Sequence, residues 1–400
     1  MPVSLLLTPF PIAKPRQGGQ VRAASVARGL TAAHWTVHPV GLYHGSFFRR
    51  SERGAADIVL DRPEVAARAS DDVLFGDLHV AKAASRDPRS LAALRDALTR
   101  LRPDAIHLEH PWAWLALREV LPSGPRPKIV YDSHNIEWAA REALFPLGLN
   151  RPDAEAMLEQ TRVLETELAR EADLVFAISD LEAARIARAA GRPVVYLPPA
   201  SDLALLAPGD GMGARGERYA ALMGSAYWPN VEGFFDLFPE GLGFLARDEH
   251  LWIAGELGAA IRADTRFADF AGVNEARVRT PGFMEDRAKP DFFGGAVCAL
   301  APVRIGGGAK LKTVDAIASG RPAIVTTHAL EGLGSVVEDV LNQGVYVADT
   351  PTDFRALIRR AFREGLTGCP PAARARLSLD RLSMTVDKWS RKALGENPCP

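Results

Sequence analysis

Ala301-Pro302-Val303-Arg304-Ile305-Gly306-Gly307-Gly308-Ala309-Lys310-Leu311-Lys312-Thr313-Val314-Asp315-Ala316-Ile317-Ala318-Ser319-Gly320 is the stretch on which the reading of this 400-residue chain turns. The apolar run Ala296 to Ala301 predicts a buried strand leading into it. Gly320-Arg321-Pro322 stops a helix ahead of a further strand, Ala323 to Thr327. Between them Leu311, Val314 and Ala318 recur at i, i+3 and i+7, the spacing of an apolar helix face. The unit is strand, glycine loop, helix, strand. Gly306, Gly307 and Gly308 remove side chains where phosphate oxygens would approach the backbone, and the helix start adds free N–H groups and the positive end of a dipole. Arg304, Lys310 and Lys312 bring positive charge to the same point, although the chain has only eight lysines against forty arginines. Asp315, about one turn further on, can accept hydrogen bonds from ribose hydroxyls. The pattern is that of a nucleoside-diphosphate clamp. It is neither a Walker A loop nor GxGxxG. Without a ligand, the same residues would form a flexible loop with a surface ion pair between Lys312 and Asp315 worth about 0.2–0.5 kcal/mol.

Working outward, short apolar runs alternate with longer helical patterns, which predicts an α/β fold with parallel sheets. Val3 to Leu7, Thr36 to Val40, Ala105 to Leu108, Lys128 to Tyr131, Leu174 to Ile178 and Val194 to Leu197 read as strands of a first half. Helices are expected near Val21 to Ala33 and over 153–171. Pro198 to Gly216 reads as a connection. A second series follows with strands at Ala220 to Met223, Leu251 to Ala254, Val278 to Thr280, Ala296 to Ala301 and Ala323 to Thr327. A last helix is expected near Leu379 to Leu394. The expected organisation is two Rossmann-like domains, 1–203 and 204–376, with 377–400 as a C-terminal helical segment packing back toward the first.

In open parallel sheets ligands sit beyond the carboxyl ends of the strands, so the residues just after each strand carry the functional reading. Gly18 and Gly19 precede the first helix and can bring N–H groups to a phosphate or an acceptor. Glu109-His110 and Ser133-His134-Asn135 end neighbouring strands. A neutral histidine there can donate a hydrogen bond or act as a general base; a loop histidine that only packs would look the same. Trp112, Trp114 and Trp138 can stack on a sugar or fill a core. Gly224 and Ser225 follow the first strand of the second half, and Asn230 reads as the N-cap of a helix starting at Val231. His328 and Glu331 follow the strand next to the clamp, where Glu331 can hold a sugar hydroxyl. Ser179-Asp180 reads as a helix cap. Phe47-Phe48-Arg49-Arg50 with Arg53 reads as a solvated loop with two aromatic anchors, or as a contact to an anionic membrane or lipid-linked acceptor.

Composition narrows the classes. The formal net charge is −1, with 24% charged and 47% hydrophobic residues. This argues against a disordered chain and against a dedicated nucleic-acid binder. Cys298, Cys369 and Cys399 form no CxxC pair and no zinc spacing, so neither a disulfide framework nor a structural metal is indicated; separately, no cofactor is expected. The N-terminal apolar run is too short for a signal peptide, and no stretch of about 18 apolar residues predicts a membrane span. The expected location is cytoplasmic, with peripheral contact at the inner membrane face left open.

Taken in order, these segments resemble the GT-B nucleotide-sugar glycosyltransferases, specifically the retaining enzymes of glycosyltransferase family 4. The resemblance rests on Gly18-Gly19, Ser133-His134-Asn135-Ile136-Glu137, Ala172 to Ser179, Gly224-Ser225 with Trp228-Pro229-Asn230, Ile253-Ala254-Gly255, Arg304 to Gly320 and Glu331-Gly332-Leu333. It implies two Rossmann-like domains facing across a cleft, the second holding a nucleotide sugar and the first a glycan, lipid-linked or small-molecule acceptor. It implies sugar transfer with the anomeric configuration kept and no bound metal. Lys312, Arg304 and helix-end N–H groups would meet the pyrophosphate, Asp315 would take the place of the ribose-binding glutamate, and His134 would contact the donor sugar near its reacting carbon. The chain departs from many relatives in one respect: the first acid of a glutamate pair spaced eight apart is replaced by Gly307. An epimerase of the same fold and a non-catalytic nucleotide-sugar-binding protein are the alternatives.

Overall fold

A computed structural model of the chain describes residues 1–72, 74–122, 124–147, 152–202, 217–338, 341 and 343–396. Two units emerge: Met1–Leu197 together with the C-terminal segment from Leu382, and Pro198–Arg381. The connection expected at Pro198 to Gly216, with the boundary between 203 and 204, falls largely on positions outside the described residues, as does Cys399.

In the first unit seven strands form one sheet: β1 (Val3–Thr8), β2 (Thr36–His44), β3 (Ile58–Leu60), β4 (Ala105–Glu109), β5 (Lys128–Ser133), β6 (Leu174–Ala177) and β7 (Val195–Tyr196). Their order is β3-β2-β1-β4-β5-β6-β7, and every pairing is parallel. Leu5, Leu6 and Leu7 are all fully buried, so β1 is covered on both faces, as a central parallel strand must be. The second unit repeats the plan with β8 (Arg218–Met223), β9 (Glu249–Ala254), β10 (Val278–Gly282), β11 (Cys298–Ala301), β12 (Ala323–Val325) and β13 (Val345–Val347). Their order is β10-β9-β8-β11-β12-β13, again parallel throughout. The expected α/β class and the two Rossmann-like sheets are what the structure shows. Edge strands β3 and β13 were not predicted: at three residues each they are too short to display a period.

In each sheet the chain winds one way from the central strand and then returns to its other side. The reversal lies between β1 and β4 in one unit and between β8 and β11 in the other. Loops at the carboxyl ends of those strand pairs border an open crevice where a ligand can sit. Most of the residues singled out from sequence lie on these loops.

From Leu382 the last helix, Leu379–Ala393, packs within the first unit. Ser383 Oγ donates to the Gly29 carbonyl at 2.7 Å, and Trp35 Nε1 donates to Asp387 Oδ1 at 2.8 Å. Buried His107 bridges β1 and this helix, with Ser4 Oγ 2.8 Å from Nδ1 and Ser390 Oγ 3.1 Å from Nε2. Cys298 and Cys369 are both buried and free. Among the described residues no helix is long and apolar enough to cross a membrane.

Two local expectations change. Gly18 and Gly19 are the first residues of the helix Gly18–Ala32 rather than the turn before it. The Gln20 side-chain oxygen accepts the N–H groups of Arg16 and Gln17, which starts the helix early. Asn230 is not an N-cap: the helix begins at Trp228, because Pro229 supplies a preset first-turn φ. Ser179 does cap its helix, accepting from the Glu182 N–H at 3.1 Å.

Candidate active site

In the first unit, the loops after β1, β4 and β5 assemble a buried polar cluster. Glu109 ends β4 and is fully buried; Asp132 and Ser133 end β5, with His134 next. The buried Arg22, from the helix Gly18–Ala32, clamps Asp132 with two bonds of 3.0 and 3.1 Å and donates to the Leu197 carbonyl at 2.9 Å. That fork pays the desolvation cost of the Asp132 charge. His134 Nε2 and Glu109 Oε2 share a hydrogen bond of 2.6 Å. Burial, and then the neighbouring Asp132 charge, hold the Glu109 carboxyl well above the usual carboxylate range. Burial, with His110 and Arg22 behind it, holds His134 well below the usual histidine range. Both shifts favour the uncharged form of the group, and beside the pair Arg22–Asp132 supplies one cancelling charge of each sign. Glu109, Asp132 and His134 offer ligand atoms within 4.8 Å of one another, a spacing a cation can bridge, but here the Arg22 guanidinium already fills the role of counter-charge. His134 Nδ1 and Glu109 Oε1 are buried without a hydrogen-bond partner among the described residues. Orphaned polar atoms of this kind are costly and mark a place where a ligand can complete the network.

His110 adopts φ +76°, in the left-handed region, a conformation that costs an ordinary residue of order 1–3 kcal/mol. It is fixed there by its N–H to the Asp132 carbonyl at 3.2 Å and by Nδ1 to Glu137 Oε1 at 2.8 Å. Its ring lies 4.1 Å from that of His134. Burial alone would raise the Glu137 carboxyl, but Arg141 and then His110 overcome it and hold it at about 2. Gly19 completes the corner: a Cβ there would sit 3.1 Å from the Phe10 ring and 3.4 Å from His110 Nε2. Glu109, His110, His134 and Gly19 are thus brought together, whereas Gly18 is exposed at the helix start. Sequence reasoning passed over Arg22, a helix arginine with no local pattern to mark it, and gave no role to Asp132.

In the second unit, the glycine loop leads into the helix Leu311–Ala318. Gly306 and Gly308 have φ of +121° and +65°; Gly307 does not have positive φ. Two of the three glycines are therefore required by backbone geometry, and the third only leaves space. Lys310 is buried and lies 3.7 Å from Glu331 Oε2. Glu331 also pairs with His328 Nδ1 at 2.8 Å, while His328 Nε2 is 2.8 Å from the Gly306 carbonyl. His328 thus pins the loop to the segment after β12. Lys312 and Asp315 do not form the ion pair that their spacing allows. Lys312 Nζ donates to Asn230 Oδ1, and Asn230 Nδ2 donates to the Ser225 carbonyl at 3.0 Å. Asp315 Oδ1 accepts from Ser201 Oγ at 2.7 Å. Burial, with Lys310 next in effect, pushes the Lys312 ammonium down to about 8. Burial also raises the Asp315 carboxyl against the opposing charge of Lys289. Arg304 is exposed, and its guanidinium donates to the Asp349 carbonyl at 2.6 Å.

Close backbone approaches hold this arrangement. A Cβ on Gly233 would lie 2.1 Å from the Pro302 carbonyl, so the helix Trp228–Leu237 rests directly on the start of the glycine loop. That contact is why Asn230 can reach Lys312. Gly255 has φ +83°, and a Cβ there would lie 2.2 Å from the Gly224 carbonyl. Lys310, Lys312, Glu331, Ser225 and the three glycines are therefore joined through Asn230 and His328, two residues that sequence reasoning noted without assigning to the site.

Comparison with known proteins agrees with this architecture. Residues 17–200 match the glycosyl transferase 4-like domain family, and residues 217–364 match the glycosyl transferases group 1 family. No curated protein sequence matches the chain. Among solved structures, sucrose-phosphate synthase from Thermosynechococcus elongatus is similar over 99% of both chains, at 15% identity and a TM-score of 0.68. HepE from Anabaena, in complex with UDP and glucose, is similar over 98% of this chain and 100% of that one, at 14% identity and a TM-score of 0.67. WaaG, a glycosyltransferase involved in lipopolysaccharide biosynthesis, shares 13% identity over 98% of this chain and 100% of its own, with a TM-score of 0.61. With two matched glycosyltransferase domains on two Rossmann-like sheets, the chain is a GT-B glycosyltransferase resembling glycosyltransferase family 4.

Proposed function

We propose that this enzyme is a retaining, metal-independent transferase that takes a sugar from a nucleoside-diphosphate donor. The observation that carries the reading is Lys312: a half-buried ammonium at the start of a helix, beside the buried Lys310 and after a loop whose glycines leave the backbone uncovered. Burial of like charges is costly, and a diphosphate would relieve that cost. HepE has been crystallised with UDP, with UDP and glucose, and with UDP-glucose, which supports a nucleotide sugar as donor here. In this reading Lys312, Lys310, Arg304 and the N–H groups after Gly306, Gly307 and Gly308 stabilise the departing diphosphate electrostatically. Gly224 and Ser225 border the donor, Asp315 meets the ribose, and Glu331 meets a sugar hydroxyl. His134, with Glu109 and His110 behind it, contacts the sugar, and Gly18 and Gly19 border the acceptor. The acceptor oxygen bonds the anomeric carbon as the bond to the diphosphate breaks. The diphosphate leaves with that electron pair, and the acceptor's proton passes to the departing phosphate oxygen.

A glycan, a lipid-linked acceptor or a small molecule fits this scheme. The aromatic pair proposed as a membrane contact is folded inward in part: the Phe48 ring packs on Tyr43 at 5.0 Å and that of Phe47 on His44 at 5.5 Å. That favours acceptor recognition over insertion into a bilayer. The test is incubation of the purified protein with UDP-, GDP-, ADP- and TDP-sugars in the presence of a chelator, with product configuration read by NMR. Slow nucleotide release with net retention is expected. Inversion of configuration, loss of activity in chelator, or epimerisation without nucleotide release would overturn the reading.

A further inference from the structure

A cavity of about 230 Å³ opens in the first unit between the loop after β1, the end of β2, the segment Phe47-Phe48 and Trp112-Ala113. This is smaller than the roughly 300–1,000 Å³ of sites for drug-sized ligands, so it suits a single ring. Tyr43, Phe47, Phe48 and Trp112 give it aromatic walls. The Tyr43 hydroxyl is already spent on Asp57 at 2.7 Å, and both His44 nitrogens are engaged, by Ser46 and by Arg62. The polar groups that face an occupant are the exposed Gln17 and the exposed Asp77, whose Oδ2 accepts from Arg141. Among the described residues no lysine or arginine lines the cavity, in a chain with forty arginines.

The cavity adjoins the histidine cluster. Asp77 lies 3.3 Å from Arg141, which pairs with Glu137, the partner of His110. Next to Pro9, on the cavity wall, the Phe10 ring meets that of His110 edge-on at 5.6 Å. An occupant here therefore sits beside the groups assigned to the reaction.

Recognition of a phosphate or carboxylate calls for charge-assisted donors. Among the described residues no cationic side chain on the cavity wall supplies one, and the Asp77 carboxylate at its edge already occupies the nearby Arg141 guanidinium, so an anion would have to compete with it. We propose that the acceptor seated here is an uncharged hydroxyl compound with one apolar-faced ring, such as a neutral sugar or its glycoside, and that phosphosugars are excluded. The inference rests on the transferase reading and adds the charge class of the acceptor.

The test uses the full chain, with 4-nitrophenyl β-D-glucoside as the neutral probe and glucose 6-phosphate as the anionic one. Binding is followed by calorimetry without donor, and UDP binding is measured on the same preparations. The glycoside should bind at least tenfold more tightly than the phosphosugar. Phe48→Ala should weaken the glycoside several-fold and leave UDP affinity unchanged. Asp77→Asn, checked for folding by thermal melting, should narrow the preference by raising glucose 6-phosphate affinity. Equal binding of both probes, binding of neither, or a preference unmoved in Asp77→Asn would overturn the inference. The two readings fail separately: glycoside binding without UDP binding sinks the donor assignment alone, and UDP binding without glycoside binding sinks this one alone.

Discussion

His134 Nε2 lies 2.6 Å from Glu109 Oε2 in the first unit, a bond between two side chains of which neither is more than 4% exposed. Burial shifts the acid up and the imidazole down, each toward its uncharged form. A neutral amide can replace such an acid. Glu109→Gln is therefore expected to fold and turn over within a few-fold of the parent. Glu109→Ala strips His134 of its partner and should cost about 1–3 kcal/mol of stability, the range for a buried polar group left unpaired. Urea denaturation of the two variants checks this.

His134→Ala is expected to lower kcat by at least tenfold while leaving donor affinity within a few-fold. Its unpartnered Nδ1 belongs to the first unit, whereas Lys310 and Lys312 belong to the second. Steady-state kinetics with calorimetric titration of UDP separates the two effects. Lost affinity with kcat intact would remove the proposed role.

Lys312→Ala should weaken UDP binding by at least tenfold, since a charge-assisted hydrogen bond is worth about 1.5–3 kcal/mol. Affinity should also depend on pH with a definite sign. The free ammonium loses its proton near 8, and the diphosphate needs the charged form. Affinity is thus expected to fall as pH rises above about 8, by up to about tenfold per pH unit for one linked proton. Lys312→Arg should flatten that limb, because a guanidinium stays charged. Calorimetry across the pH range provides the measurement.

Burial lowers His107 from its ordinary 6.5 to about 3. Between those two values the unfolded chain holds a proton at this residue that the folded chain does not. Stability is therefore full above pH 6.5 and declines as pH falls toward 3, by about 1.4 kcal/mol per pH unit for this one group. His134 adds a decline of the same sign. His107→Asn should make the acid limb shallower by about one proton, as read from denaturation midpoints measured at successive pH values.

Gly233→Ala places a methyl group 2.1 Å from the Pro302 carbonyl. Overpacking of this kind costs about 1–3 kcal/mol, and it pushes the helix that carries Asn230 away from the glycine loop. A lowered Tm together with weakened UDP binding is expected. Gly307→Glu, at an exposed position without positive φ, should leave Tm nearly unchanged.

By itself the sequence determined the alternation of strands and helices, because a strand buried on both faces must be a continuous apolar run and a helix shows its face every third or fourth residue. It therefore yielded the two parallel-sheet halves and the loops that carry chemistry, Glu109-His110, Ser133-His134 and Arg304 to Lys312. Local spacing could not say which side chains meet. Lys312 and Asp315 look like a pair along the chain, yet each bonds outside its own helix, to Asn230 and Ser201 respectively. Arg22 and Asp132 are 110 residues apart and form a buried fork. Those partnerships follow from strand order and from close approaches such as Gly233 on Pro302. Strand order depends on how far-separated apolar faces pack, a long-range property that no window of the sequence contains, and so the partners of each site residue were decided only by the tertiary structure.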